Sequence, residues 1–350
     1  MTPVSSNVSQ DVAKAAEFKP HRNLTGEVWR RLREPYPWLI VIFTIVCAAL
    51  PMILDRVTVR ESILLASVYV IMASNLNLMI GYAGYVNFGN IVFFGLGGYI
   101  GVYLATSWHV NIVVAALIGG VCVSALAYLF GRAILHLRGA FFALATIGIN
   151  EAVHAFVTNF EPWGGATGIY LSMDAYAPFG GPLNALWLCY FLLVGVMGLS
   201  LLLSYGIKTS KFGLGIMAIG ENEDAAAVLG VPTPRYKAIV YSVSAFLPAV
   251  AGALYFFKSG IIEPEGAFDL TTSIEAIVML MLGGAGTVTG PVIGAFLYET
   301  MRSYLLFSET FSHLQLVLAG ALLLIIVLFV PGGLMGFLRQ RLPILRKWLQ

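Results

Sequence analysis

The stretch Gly206–Lys237 reads GIKTSKFGLGIMAIGENEDAAAVLGVPTPRYK and is the longest polar segment inside a chain that is otherwise strongly apolar. It contains an acidic cluster at Glu221, Glu223 and Asp224, and it carries basic residues at both ends. A polar segment of this length between apolar runs predicts a loop outside the membrane. We interpret that loop as a place where another molecule docks. The nature of that molecule has to be inferred from the rest of the chain.

The composition indicates that lipid is the main solvent. Of the 350 residues, 59% are hydrophobic and only 11% are charged, whereas a soluble domain carries roughly 25% charged residues. The net charge of +2 is too small to suggest a nucleic-acid partner. The three cysteines, Cys47, Cys122 and Cys189, all lie in apolar segments, so we interpret them as packing residues and not as a disulfide or metal site.

A membrane-spanning helix needs roughly 20 apolar residues. The apolar runs therefore predict an all-α, polytopic membrane protein with about ten spans. The spans lie near residues 38–54, 61–80, 90–106, 110–130, 140–158, 184–206, 237–257, 272–283, 290–307 and 313–330. The eighth is too short to cross alone and runs into a glycine cluster, so a broken or re-entrant element is expected there.

The organisation follows from these spans and from the basic residues. We expect a polar arm over residues 1–37, a transmembrane domain over 38–336 and a tail over 337–350. Of the 20 Lys and Arg residues, 16 fall in the arm, the tail, and loops 131–139 and 207–236, counting Lys237 at the edge of the last loop. Loop 81–89 holds none, and the exceptions are Arg56, Arg60, Lys258 and Arg302. Because cytoplasmic loops carry the excess of Lys and Arg, both termini and loop 207–236 are predicted to be cytoplasmic. Loop 159–183 has no Lys or Arg and is predicted to lie outside.

Two apolar runs repeat the same interruption. Leu78–Val86 reads LMIGYAGYV, and Leu280–Val288 reads LMLGGAGTV. Paired interrupted segments in two halves of a transporter point to a translocation site near the middle of the membrane. A chance match between glycine-rich segments is the alternative. The glycines expected to break the helices are Gly81, Gly84, Gly283, Gly284 and Gly286.

A second glycine pattern concerns packing. Gly97 and Gly101 share one face of a predicted helix, and small residues at that spacing let helices approach closely within the chain.

Polar side chains within the spans are few and are candidates for lining a translocation path. Glu151 and His154 lie on one face of the fifth span, and several amides surround the first interruption. Each could instead be a structural group that holds helices together. The candidates are Asn75, Asn77, Asn87, Asn90, Thr146, Asn150, Glu151 and His154.

No catalytic or cofactor motif is visible. The chain has no Gly-Lys-Ser or Gly-Lys-Thr, and therefore no Walker A loop for a nucleotide. Gly213-Leu-Gly-Ile-Met-Ala218 fits a dinucleotide fingerprint letter by letter, but it follows a membrane helix and not a strand. With no enzyme site, no metal motif and few buried charges, we expect the energy for transport to come from a partner.

Several motifs in order resemble a known family. The chain resembles LivM-like permease subunits of ATP-binding-cassette (ABC) importers for branched-chain and other neutral amino acids. The stretches that carry the resemblance are Asn75–Gly89, Phe93–Tyr99, Leu137–Thr146, Ala218–Gly230, Leu282–Pro291 and Pro331–Gly336.

The resemblance implies partners and a docking role for the opening stretch. The implied partners are a second, LivH-like permease, two cytoplasmic ATPases that bind ATP and Mg, and a periplasmic binding protein, at a bacterial inner membrane. Loop 207–236 would then be a coupling loop, loop 159–183 would be periplasmic, and Lys208, Lys211, Arg235 and Lys237 would be topology anchors. The residues expected to couple to an ATPase are Ala218, Glu221, Asn222, Glu223, Asp224, Ala225, Ala226, Leu229 and Gly230.

Departures from the family pattern leave the substrate open. Family members often have Gln, Ser and Leu where this chain has Tyr85, Asn87 and Phe88, and an Arg where it has Gly220. Related permeases carry urea, short amides or aromatic acids, which are the alternative substrates. A stand-alone secondary transporter or channel, or a membrane scaffold without transport activity, are the alternative classes.

Overall fold

The computed structural model describes residues 35–306 and 332–336. The chain divides into two units, Met1–Leu39 and Ile40–Gln350. The first unit contributes to the described residues only the start of helix α1. The predicted tenth span, most of the N-terminal arm and the C-terminal tail lie outside the described residues.

The predicted all-α fold is confirmed, and each predicted span up to 290–307 falls on a helix whose ends differ from the prediction by at most four residues. The helices are α1 Pro35–Leu54, α2 Val57–Asn77, α3 Asn90–Ser107, α4 Ile112–Ile134, α5 Ala140–Thr158, α6 Pro182–Lys208, α7 Lys211–Glu221, α8 Glu223–Val228, α9 Thr233–Ser259, α10 Pro264–Ala267, α11 Leu270–Gly283 and α12 Gly290–Leu306.

Eight stretches of the described residues are long and apolar enough to cross a membrane. The eighth of them covers the 20 residues Pro264–Gly283 and consists of α10 and α11, which are separated at Phe268 and Asp269. Helix α11 alone has 14 residues, about 21 Å at 1.5 Å per residue, which is less than a hydrocarbon core of about 30 Å. The eighth predicted span is therefore part of a broken element, as its short length indicated.

The centre of the fold is built from α2, α3 and α9. Helix α9 packs most extensively against α4 and α3, and α2 is almost fully buried between α6, α9, α11 and α12. Gly97 and Gly101 of α3 face Ala249 and Ala253 of α9, where a Cβ on either glycine would collide with the opposing helix. The expected close approach of helices at these glycines is therefore present within the chain.

Local polar groups mark several helix starts. Asn111 accepts a hydrogen bond from the Val113 amide at 3.0 Å and caps α4, and Asp269 accepts one from the Thr271 amide at 2.9 Å and caps α11. Such caps satisfy amides that have no partner within the helix.

Loop 159–183 is ordered by short elements and not by a long helix. It forms three 3₁₀ turns, Glu161–Trp163, Gly165–Thr167 and Met173–Phe179, and one short strand, β1 Ile169–Tyr170. This strand pairs antiparallel with β2 Ile261–Ile262, which follows α9, with Ile169 opposite Ile262. The loop after α5 and the connection after α9 therefore share one face of the membrane domain, as the predicted alternation of spans requires.

Candidate functional site

The first interruption is a π-helical turn. Helix α2 continues as a π-helix over Leu78–Tyr82 and then opens into a non-helical segment that reaches α3. The Tyr85 amide donates back to the Met79 carbonyl at 2.9 Å, and Gly84 adopts a φ of 74°. Isolated π-helical turns are rare overall, and those that occur are often found at functional sites. Gly81 lies in this turn, as the predicted break requires.

The second interruption separates α11 from α12. Helix α11 ends at Gly283, and the glycines that follow, Gly284 and Gly286, have φ values of 122° and 78°. Thr287 donates from its hydroxyl to the Gly284 carbonyl at 2.8 Å and accepts from the Gly290 amide at 3.0 Å. This hydroxyl closes the turn and caps α12.

Asn77 joins the two interruptions. Its Nδ2 donates to the Thr287 carbonyl at 2.8 Å, and its Oδ1 accepts from the Gly286 amide, also at 2.8 Å. The side chain is fully buried. The two segments that repeat one another in sequence therefore contact one another through a single amide side chain, which satisfies backbone groups that the broken helix leaves open.

The other amides around the first interruption are also enclosed by this chain. Asn75 donates to the Ser200 hydroxyl at 2.7 Å, Asn87 accepts from the Gly89 amide at 3.0 Å, and Asn90 lies against Met72. All three are buried. In this structure they hold helices and loop backbone together.

Two polar candidates on α5 point inward as well. Thr146 accepts from the Phe88 amide at 3.2 Å, and Asn150 donates to the Phe268 carbonyl at 3.0 Å. Both side chains are fully buried. They attach α5 to the segments before α3 and after α10.

The opposite face of α5 is open. Glu151 and His154 lie there, with 4.0 Å between Glu151 Oε2 and His154 Nδ1, and the Glu151 side chain is 65% exposed. Phe141 and Leu144 extend the same exposed stripe. Of the eight predicted path residues, Glu151 and His154 are the pair that reaches the surface. Because a carboxylate is costly against hydrocarbon, a face that carries one is expected to border water or protein.

Loop 207–236, the predicted coupling loop and below called the coupling segment, forms two short helices, α7 and α8, which are joined at Asn222. Ser210 caps α7 through the Gly213 amide at 2.9 Å, and Asn222 caps α8 through the Ala225 amide at 3.0 Å. Ala226 packs inward, whereas Val228 and Leu229 are 88% and 82% exposed. Ala218 is half-buried, and Glu221, Ala225 and Gly230 are exposed. The segment thus presents an apolar tip beyond a capped helix.

Helix α7 lies directly on the first interruption. A Cβ on Gly220 would lie 2.6 Å from the Tyr82 carbonyl oxygen, and one on Gly84 would lie 3.2 Å from the Gly220 carbonyl oxygen. Two glycines thus allow backbone-to-backbone contact between the coupling segment and the first interruption. A side chain as long as Arg at position 220 would have to displace that contact.

Glu223 is the centre of a charged cluster that faces the membrane domain. Its carboxylate accepts from Lys237 at 2.7 Å and from the Tyr85 hydroxyl at 2.7 Å, and Arg138 Nε lies 3.2 Å away. Arg138 also binds both oxygens of Asp224, at 3.1 and 2.8 Å. The cluster connects α8 with the first interruption, the α4–α5 loop and α9.

The cluster keeps its carboxylates charged. Partial burial raises the pKa of Glu223, but hydrogen bonds from Lys237 and Tyr85 and the charges of Lys237 and Arg138 outweigh that effect and hold it below its usual value. The hydrogen bond from Arg138, followed by its charge, lowers the pKa of Asp224. Both groups are therefore anionic throughout the physiological pH range.

Lys237 and Lys208 have structural roles beyond marking topology. Lys237 is buried, and its ammonium group also donates to the Leu135 carbonyl and the Tyr85 hydroxyl. Lys208 donates to the Gly286 carbonyl at 2.8 Å. Interpreting Lys237 only as a topology anchor was wrong because its charge is used inside the protein. Tyr85 and Arg138 were not predicted from the sequence to belong to this cluster. The available signal was that each is a polar residue next to a glycine in a motif that carries the family resemblance.

Among the described residues, no group of three or more His, Cys, Asp or Glu side chains is placed to hold a metal ion. Cys47 and Cys189 are buried packing residues, whereas Cys122 is exposed on the outer face of α4.

Comparison with known proteins identifies the family of the chain. The family model described as "Branched-chain amino acid transport system / permease component" matches residues 58–327. The high-affinity branched-chain amino acid transport system permease protein LivM of Escherichia coli is 24% identical over 328 residues, covering 87% of this chain and 76% of LivM.

Further relatives differ in what their names say they transport. LivH of Salmonella typhimurium, also a branched-chain amino acid permease protein, is 25% identical over 79% of this chain and 94% of its own length. The L-arabinose ABC transporter permease protein AraH of Azospirillum brasilense is 23% identical over 94% of this chain and 95% of its own length. No solved structure gives a significant match.

Proposed function

The chain belongs to the family of permease components of branched-chain amino acid transport systems, and from that premise we propose that it carries branched-chain or other neutral amino acids. As an ABC importer permease it is a multi-pass membrane protein and a transport subunit, and ATP is bound by the partner ATPase. The expected substrate follows the LivM and LivH relatives. Urea, short amides and aromatic acids are the alternative cargoes.

The observation that supports drive by a partner ATPase is the contact between the coupling segment and the first interruption. The exposed tip at Val228 and Leu229 lies at the end of α8. The start of α8 is held to the membrane domain by the hydrogen bonds that Tyr85 and Lys237 donate to Glu223. An ATPase that binds the tip would move α7 and α8. The contact between Gly220 and Gly84 would transmit that movement to the π-helical turn. This is the arrangement that a permease driven from outside its own chain needs.

The open face of α5 is the proposed contribution to the pathway. Its exposed stripe combines Phe141 and Leu144 with Glu151. A second, LivH-like permease opposite this stripe would complete a passage with an apolar wall and few charges. Such a wall suits neutral substrates that carry short apolar side chains. A periplasmic binding protein would supply the selectivity.

We further propose that the coupling segment and both termini face the cytoplasm of a bacterial inner membrane. Contacts of Arg138 with Asp224, and of Lys208 with Gly286, show that loops 131–139, 207–236 and 284–289 share one face. Three of the basic residues that fall outside the predicted cytoplasmic segments are paired with carboxylates, namely Arg60 and Lys258 with Glu61, and Arg302 with Glu299. With Arg56 they are four exceptions among the 20 Lys and Arg residues, so the excess on the predicted cytoplasmic side remains.

The deciding experiment is co-purification of the ATPase with two matched variants. Leu229→Asp places a charge on the exposed tip, and Met173→Asp places the same charge on a residue that is 75% exposed in the loop on the other face. We expect Leu229→Asp to lose the ATPase and Met173→Asp to retain it. Retention by both variants would remove the docking role of the tip.

A second measurement addresses the function class and the substrate. The complete complex in proteoliposomes is expected to take up leucine only with ATP and the binding protein present. Gradient-driven flux through this chain alone would support a stand-alone transporter or channel. Uptake of urea, a short amide or an aromatic acid in preference to leucine would correct the substrate class.

A further inference from the structure

A cleft opens between the end of α4 and the start of α9, beside the coupling segment. Its volume is about 760 Å³, and its lining includes Arg132 and His136 from the α4 end and Arg235 from the first turn of α9. Both helices are candidate membrane spans. Because the cleft lies at the ends of both helices, we expect it at the depth of lipid headgroups.

The cleft carries an unbalanced positive charge. Glu223 is its acidic lining residue, and its carboxylate is already bound by Lys237 and Arg138. Arg132 and Arg235 are exposed, and neither makes an ion pair within the described ranges 35–306 and 332–336. Two guanidinium groups thus remain available for an anion, and Arg is well suited to a phosphate group.

An apolar groove continues from the cleft along the same two helices. The groove has a volume of about 510 Å³ and is lined by Val121, Leu129 and Phe246, and Tyr128 lines both spaces. Val121 and Leu129 are 61% and 62% exposed.

The two serine hydroxyl groups in the groove wall are satisfied within the chain. Ser124 Oγ donates to the Ser242 carbonyl at 2.9 Å, and Ser242 Oγ donates to the Ser124 carbonyl at 2.8 Å. Apart from the Tyr128 hydroxyl, which lies where the groove meets the cleft, the groove therefore offers an occupant apolar contact.

We propose that this continuous cleft and groove bind one anionic phospholipid of the membrane. The phosphate and its anionic substituent lie between Arg132 and Arg235, and an acyl chain lies in the groove past Tyr128. A soluble phosphate would use the cleft and leave the groove empty, and a zwitterionic lipid would use the groove with a weaker headgroup contact. Basic pockets between spans are suited to anionic headgroups.

The test is lipid binding to the full-length chain in detergent, measured by native mass spectrometry with phosphatidylglycerol and phosphatidylcholine. The double variant Arg132→Gln/Arg235→Gln is expected to weaken phosphatidylglycerol binding roughly 30-fold and to leave phosphatidylcholine binding unchanged. Lys211→Gln removes an exposed cation that does not line the cleft and is expected to change neither. Arg132→Lys/Arg235→Lys retains the charge and is expected to retain most of the binding.

A separate variant distinguishes a lipid from a free anion. Ala125 is exposed in the groove wall, so Ala125→Trp fills the groove without altering charge. We expect this variant to weaken phosphatidylglycerol binding and inorganic phosphate to compete poorly in the unaltered protein. Equal binding of the two lipids, an unaffected double variant, or displacement by inorganic phosphate with Ala125→Trp unaffected would each overturn the proposal.

Discussion

The Glu223 carboxylate lies 2.7 Å from the Lys237 ammonium group, which is buried at the start of α9. Glu221, two residues earlier, is exposed to solvent. The two carboxylates in one motif therefore face different surroundings. Glu223 holds the coupling segment to its own chain, and Glu221 is available to another protein.

This difference predicts different effects for two equivalent substitutions. Glu223→Gln removes a charge that Lys237 and Arg138 need, and a buried cation left without its partner typically costs about 3–5 kcal/mol. We expect ATP hydrolysis in the complete transporter to continue while substrate uptake falls at least tenfold. Glu221→Gln is expected to keep the ratio of uptake to hydrolysis. Equal ratios in both variants would contradict the separation of roles.

The anchoring of α8 is expected to depend on pH in one direction. The pKa of Glu223 is below its usual value of 4.5 in the folded chain. A group whose pKa is lowered by folding stabilises the fold at pH values above its usual pKa, and that contribution is lost as the pH falls through the lowered pKa.

The measurement is the mobility of a spin label at Leu229→Cys, with Cys122 replaced by Ser, between about pH 7 and about pH 3. The label is expected to stay restricted down to the usual pKa of 4.5 and to become mobile below it. The same label in the Glu223→Gln background serves as the control and is expected to be mobile throughout. A transition near neutral pH, or an identical transition in the control, would show that Glu223 does not anchor the helix.

Asn77 is expected to stabilise the fold through the two backbone groups that it binds. Asn77→Ala leaves the Gly286 amide and the Thr287 carbonyl without their partner. An unsatisfied buried polar group costs about 1–3 kcal/mol, so the thermal midpoint in detergent should fall clearly. Asn159→Ala is the matched control, because Asn159 is exposed and binds only a carbonyl of its own helix. A midpoint unchanged in both variants would exclude a structural role for Asn77.

Alanine substitutions at Gly220 and Gly206 are predicted to change the stability of the chain in opposite directions. A Cβ on Gly220 would lie 2.6 Å from the Tyr82 carbonyl oxygen, whereas a Cβ on Gly206 would meet nothing within 4 Å. Gly220→Ala should destabilise the chain by about 1–3 kcal/mol through overpacking. Gly206→Ala should stabilise it by up to about 1 kcal/mol, since alanine favours a helix interior. Thermal unfolding of both variants in detergent checks the two signs, and a neutral Gly220→Ala would contradict the contact.

The sequence predicted the helices well because hydrophobic length is a local property. The two interruptions were also predictable from their glycines. The contact between Gly84 and Gly220 was not predictable, because no local sequence feature indicates which distant backbone segment packs against a glycine. The direction of each polar side chain was the weakest prediction. Thr146 and Glu151 lie on the same helix, yet the first is fully buried and the second is 65% exposed. That difference depends on how α5 is turned against its neighbours, which only the packed structure provides.

The open face of α5 gives the last prediction. Glu151 and Cys122 are both exposed residues on candidate spans, one on α5 and one on α4. If Glu151 borders an aqueous passage, Glu151→Cys in the assembled transporter will react with a charged, membrane-impermeant thiol reagent, because the thiolate forms only in contact with water.

Cys122 provides an internal control in the same molecule. On the outer face of α4 it is expected to face lipid tails and to stay unmodified, and substrate in the passage should slow the reaction at position 151 only. Mass spectrometry of the modified chain counts both sites at once. Modification of Cys122 with position 151 unreactive would reverse the assignment of the two faces, since α4 would then border the passage and α5 the lipid.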